Sequence, residues 1–317
     1  MIRLLEQSHR RARALTASGA PVYLAVNPVE YHGPHLSLEN DAHVSLGLVR
    51  EVHALLATRH DWPLLFAGEL GLGVDPVPGP GSRPVSLAEV RRAVQRACAA
   101  LVALGSRRLV LVSFHGSPLH NLALEAGVEL LRRRGVPSLA PMHLLLRELL
   151  TVTGEPFAAA YDHIEDPGER AAMIRGLPLD FHAGYAETSL ALHHAPESVS
   201  DRLDQVPPCP RPEPVAWLAR AAALARRAGR TTLADELAFA ARAMGWYRLR
   251  PFPGYTGSPH LARASAGRVF SEIISARFAA AAEAVLVEGA PPPPPVMGWL
   301  GPLTLGGRLG SPHVVER

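Results

Sequence analysis

VYLAVNPVEYHGPHLSLENDAH, residues 22–43, decides how the chain is read. Val22 to Val26 is almost wholly apolar without clean alternation, the pattern of a strand covered on both faces in a parallel sheet. Polar chemistry then starts abruptly with Glu30, His32, His35, Asp41 and His43. In open α/β sheets the loops leaving the C-terminal strand ends form the ligand crevice, so a site is expected at this point. Glu30 and His32 are two apart, and in extended backbone their side chains share a face and can grip one ion. Gly33 and Pro34 turn the chain, which lets Asp41 return as a third ligand while opening a helix expected over 42–58. For Asp41 alone, capping that helix is the simpler role. The mixed set favours metal, because imidazole and carboxylate together are preferred donors for zinc, manganese or iron.

The rest of the chain supports an α/β reading. With 317 residues and 48% hydrophobic content it can form one large globular domain, expected over 1–288 with a helical insertion at about 212–245 and a Pro/Gly-rich tail over 289–317. No apolar run approaches the roughly 20 residues of a membrane span, and the first residues lack a signal-peptide core, so a cytoplasmic location with no membrane partner is expected. Cys98 and Cys209 are too few for a disulfide framework or a cysteine metal site. The net charge is +3 and every basic residue is arginine, but the arginines form no stripe with interleaved aromatics, so no nucleic-acid partner is expected.

Further strands are expected over 64–67, 108–114 and 138–141. Helices are expected over 1–20, 87–104, 119–134, 142–152 and 268–286, the second with Ser86 as N-cap and Gly105 past its end. RLVLVSF, residues 108–114, is the clearest buried strand and runs straight into His115, which puts that histidine on the same sheet edge as the opening cluster. Taken alone, His115 reads as preceding or capping the next helix. His182 and Glu187 flank a glycine ahead of another helix, and Asp162, His163, Glu165 and Asp166 read as a solvated turn. Helices over 215–228 and 232–244 make the inserted hairpin. Some of the aromatic loop from Trp246 to Tyr255 and of the tail near Trp299 is expected to pack at subunit contacts.

Three ordered stretches resemble the creatininase (creatinine amidohydrolase) family: VEYHGPHLSLEND, LVLVSFHGS and DFHAGYAETS, with a weaker fourth in TGSPHLARASAG. The resemblance implies a three-layer α/β sandwich with a mainly parallel sheet, a divalent metal centre of one or two ions (Zn, Mn or Fe), and a closed homo-oligomer, commonly a hexamer. It further implies that Glu30 and His32 each hold a different ion, that Asp41 bridges them and that His115 joins Glu30. His182 would be the catalytic acid/base, and Glu187 would support that histidine or the metal water. The implied reaction is hydrolysis of the C–N bond of a small or cyclic amide by a metal-bound hydroxide. Peptide trimming and a non-catalytic metal- or ligand-binding role are the alternatives. Creatinine-cleaving members carry a further carboxylate ligand two positions after the strand-end histidine, where this chain has Ser117. Kept ligands beside changed neighbours imply retained metal chemistry on a substrate other than creatinine.

Overall fold

The computed structural model describes residues 1–151 and 154–305; the last residue of the helix expected over 142–152 and the part of the expected tail from 306 lie outside them. In chain order the elements are β1 (Ile2–Arg3), α1 (His9–Ala17), β2 (Val22–Asn27), α2 (Asn40–Ala57), β3 (Leu65–Gly71), α3 (Leu87–Leu104), β4 (Leu109–Val112) and α4 (Pro118–Arg133). There follow β5 (Ser138–Leu139), α5 (Met142–Thr151), α6 (Pro167–Gly176), α7 (Tyr185–His194), α8 (Ala216–Arg227), α9 (Thr231–Trp246), α10 (Ala264–Leu286) and α11 (Leu300–Leu303). The chain divides into two packed units, one of residues 1–31, 38–145 and 271 onward, the other of residues 32–37 and 146–270.

The first unit is built on a parallel sheet of order β1-β3-β2-β4-β5. β2 lies at its centre and is buried at every residue, which is why its sequence is apolar without alternation. The two faces are nonetheless distinct. Val22, Leu24, Val26, Leu109 and Leu111 pack in one core with Val90, Val94 and Cys98 of α3 and Leu124 and Val128 of α4. Tyr23, Val110 and Val112 point the other way, toward Leu48, Val49 and Val52 of α2 and Phe278 and Ala282 of α10. Helices therefore cover both faces of the sheet, as the sequence predicts.

Local signals explain the helix ends. Ser86 and Glu89 form a reciprocal capping box at the start of α3, and Gly105 ends it at a φ of 111°. α4 starts on Ser117, whose hydroxyl accepts from the His120 N–H, with Pro118 in the first turn. The cap is thus Ser117 and not His115. Asp41 is likewise no cap: α2 begins at Asn40 after Glu39, and Asp41 stands in the first turn, where a carboxylate suits the helix dipole.

In the second unit α8 and α9 form the expected hairpin, seated on Val215, Leu218 and Ala241. The solvated turn expected around Asp166 is instead the start of α6: Asp166 caps it by accepting from the Glu169 N–H, and Pro167 takes the first position. Within the aromatic loop Trp246 and Tyr255 are buried in the chain itself, with the Trp246 indole N–H donating to the Tyr255 carbonyl at 2.8 Å, while Tyr247 and Phe252 are half-buried. Among the described residues no helix is long and apolar enough to cross a membrane.

Candidate metal centre

The helix after β2 lies on one face of the first unit's sheet, and those after β3 and β4 lie on the other. The chain therefore diverges at the C-terminal ends of these neighbouring strands and leaves a crevice there. Glu30 follows β2, His115 follows β4, and Asp41 enters from the first turn of α2. His115 Nδ1 lies 2.8 Å from Glu30 Oε2 and 3.7 Å from Asp41 Oδ2. His115 Nε2 lies 2.9 Å from the Val74 carbonyl, which can only accept, so Nε2 carries a hydrogen. In the neutral ring Nδ1 then turns a lone pair toward two carboxylates, an arrangement that needs a positive charge. Burial opposes the imidazolium, but the charge and hydrogen bond of Glu30, followed by Asp41 and the Val74 carbonyl, raise its pKa to about 9.

A divalent ion can take the place of that proton. The ligand atoms of Glu30, Asp41 and His115 all lie within 4.8 Å of one another and all three residues are buried. Two carboxylates and an imidazole are a fitting donor set for zinc, manganese or iron.

Neighbouring groups hold this set in place. Glu30 Oε1 accepts from the Val77 N–H. Asn27, buried at the end of β2, accepts through Oδ1 from Ser45 Oγ at 3.0 Å, Ser113 Oγ at 3.2 Å and the Phe114 N–H at 3.1 Å, and donates to Glu69 Oε1 at 3.1 Å. His120 accepts from the Val74 N–H through Nδ1 and donates from Nε2 to the Val26 carbonyl. Burial, then the neighbouring His115, pushes the His120 pKa down to about 3, so that ring is neutral. Asn121 donates to the carbonyls of His115 and Ser117, both at 2.9 Å. Neither Asn27 nor His120 is named as a support from sequence; the one signal for Asn27 is polarity at the end of an apolar strand, and His120, in the first turn of α4, has none.

The second unit brings together His32, His182 and Glu187. His32 Nε2 lies 3.2 Å from Glu187 Oε1, and the His32 and His182 rings are 4.5 Å apart between centroids. Burial alone would raise the Glu187 carboxyl; His32 first, then His182 and the Ala183 N–H, outweigh it and hold the carboxyl below its usual range. His182 packs against Trp246, with centroids 5.6 Å apart. Its main chain is clamped by Thr256, whose Oγ1 accepts from the His182 N–H at 3.2 Å and donates to the His182 carbonyl at 3.0 Å. Asp180 accepts from the N–H groups of Tyr185 and Ala186 and so secures the start of α7; burial lifts its pKa to about 7.

The family model described as creatininase, creatinine amidohydrolase, matches residues 6–282. The chain belongs to the creatininase family. Members of the family are hydrolases acting on amide C–N bonds. Among solved structures, one titled creatininase Mn is 22% identical, with 88% of this chain and 96% of that chain covered and a TM-score of 0.55. A mutant creatininase of Zn-Zn type is 20% identical, with 89% and 98% covered and a TM-score of 0.57. A putative creatinine amidohydrolase from Bacteroides fragilis is 17% identical, with 84% and 90% covered and a TM-score of 0.57. These likenesses establish a shared creatininase fold. No curated protein matches the chain.

Proposed function

We propose that the protein is a metal-dependent amidohydrolase that cleaves a C–N bond of a small or cyclic amide. The observation that carries this reading is the buried set of Glu30, Asp41 and His115, where an imidazole nitrogen faces two carboxylates at the sheet edge. In this reading Glu30, Asp41 and His115 would hold one divalent ion, and His32, by the family resemblance, would hold a second. The resemblance of the stretches around Glu30, His115 and His182 to the family's motifs supports these roles. Zinc and manganese are favoured because creatininase structures carry those metals in their titles. Such ions, when bound, lower the pKa of a water to about 7 and polarise a carbonyl oxygen.

The protein's own groups complete the chemistry. His182 donates a proton to the departing nitrogen, a task suited to an imidazole at neutral pH. Glu187, in the first turn of α7, lies against His32 and takes the Ala183 N–H, so it orients His32 and the backbone that carries His182. Trp246 walls His182 and limits water beside it. Ser117 caps α4 and supplies no carboxylate, so an ion held by His32 would be the weaker of the two and creatinine is disfavoured as the substrate. The protein works as a homo-oligomer, a reading supported by the family resemblance and by the exposed Trp217 and Leu224 of α8.

Metal-loaded protein should be tested on a panel of linear amides, cyclic amides, short peptides and creatinine. Hydrolysis of at least one amide other than creatinine, lost in Glu30→Gln, is expected. Metal bound with no amide cleaved across the panel would turn the reading toward a binding role.

A further inference from the structure

His35, the remaining imidazole of the HGPH stretch, takes no part in the proposed metal set. It is buried in the second unit, and its Nε2 lies 3.0 Å from the Ala183 carbonyl oxygen and 3.1 Å from Thr188 Oγ1. Because the carbonyl can only accept, Nε2 carries the hydrogen and shares it between the two. His35 belongs to none of the metal-capable groups found among the described residues.

Ala183 is the residue on which this contact acts. Its φ is 45°, in the left-handed region that a residue with a side chain seldom adopts, and it stands directly after His182. Each polar group of its main chain is tied: the N–H donates to Glu187 Oε2 at 2.6 Å, and the carbonyl accepts from His35 and, at 3.3 Å, from the Thr188 hydroxyl. The contacts from Glu187 and Thr188 are local. His35 supplies the tie that comes from 148 residues away. Its own placement is fixed as well: its carbonyl accepts from the Ser200 N–H at 2.8 Å, and its ring meets the edge of Tyr255 with centroids 5.5 Å apart. Gly33, at a φ of 68°, lets the ring in, since a Cβ there would come 2.9 Å from Tyr255 and 3.0 Å from His35 Nδ1.

We propose that His35 is a positioning residue whose Nε2–H locks the Ala183 carbonyl and thereby fixes the direction of His182 and the entry of the chain into α7, where Glu187 stands. Its consequence for turnover rests on the reading of His182 as proton donor; its effect on the loop does not. Glutamine places an N–H donor where His35 Nε2 lies, whereas asparagine places one where Nδ1 lies and leucine places none.

The test is amide hydrogen exchange over residues 182–190, together with zinc or manganese content, in His35→Gln, His35→Asn and His35→Leu. Exchange there should stay near wild type in His35→Gln and rise at least about fivefold in the other two, the fold-change of one lost hydrogen bond. Metal content and exchange in α9 should stay unchanged in all three. If His35→Leu does not fold, the glutamine and asparagine variants carry the same comparison. His35→Gln exchanging as fast as His35→Asn would overturn the positioning role, as would loss of metal in His35→Gln, which would mark a ligand. A wild type that binds no metal would sink the amidohydrolase reading and leave the exchange result to decide His35 by itself.

Discussion

Glu30 and His115 stand just past strand ends of a parallel sheet with Asp41 in the first turn of α2, whereas His32 and His182 stand on loops and Glu187 in the first turn of α7, where side chains hold the backbone. The first set inherits its geometry from β2, β4 and the start of α2, and Asn27 ties the ends of these elements together. The second set depends on His35, Asp180 and Thr256, each a single side chain gripping main chain. One set is therefore rigid by construction and the other by a few replaceable contacts. In the proposed function, ion-holding groups at strand ends and a proton-moving group on a clamped loop form a division of labour that variants can break.

The largest effect is expected at His182. His182→Ala should keep its metal and its fold while turnover falls about 10²–10⁴-fold, the usual worth of general acid catalysis. Amides with acidic leaving groups need little proton assistance and should be hurt much less. A rate defect equal for good and poor leaving groups would show that the loop set does no proton transfer.

Asn27 tests the rigid set. Asn27→Leu strands the buried Ser45 and Ser113 hydroxyls and the half-buried Phe114 N–H, at a cost of about 1–3 kcal/mol for a buried partner left unsatisfied. The melting temperature should drop and metal affinity should drop with it, since the ends of β2 and β4 lose their tie. Unchanged metal affinity in a destabilised Asn27→Leu would mean that the strand ends hold their ligands without it.

Ser86→Ala gives the smallest effect. Removing the capping box of α3 should cost about 1 kcal/mol of stability and leave metal content and turnover alone. A change in either would show that the two sets are sensitive to stability in general and not to their own supports.

Much of the frame is legible in the sequence because its signals are local. The apolar run of β2, the helix over Leu87–Leu104 with Ser86 and Gly105, and the hairpin of α8 and α9 all follow from short-range pattern. β1 is too short to show a pattern, and β3 extends past the expected strand through the polar GEL because pairing with β2 outweighs its composition. α6 escapes because its Asp-Pro-Gly-Glu start reads equally as a turn. The residues named for the site are ones that motifs carry. Their supports are not legible: Asn27 with Ser113, His35 with Ala183 and Thr256 with His182 are contacts across long stretches of chain, and nothing local marks them.

The central claim is that Glu30, Asp41 and His115 hold a divalent ion, and elemental analysis of the purified protein beside Asp41→Ala and His115→Ala tests it most directly. Wild type should carry between about one and two equivalents of zinc, manganese or iron, the metals suited to mixed imidazole and carboxylate donors. Both variants should lose most of it while remaining folded. Variants that keep the wild-type metal content, or a wild type that takes up none from excess zinc or manganese, would contradict the account.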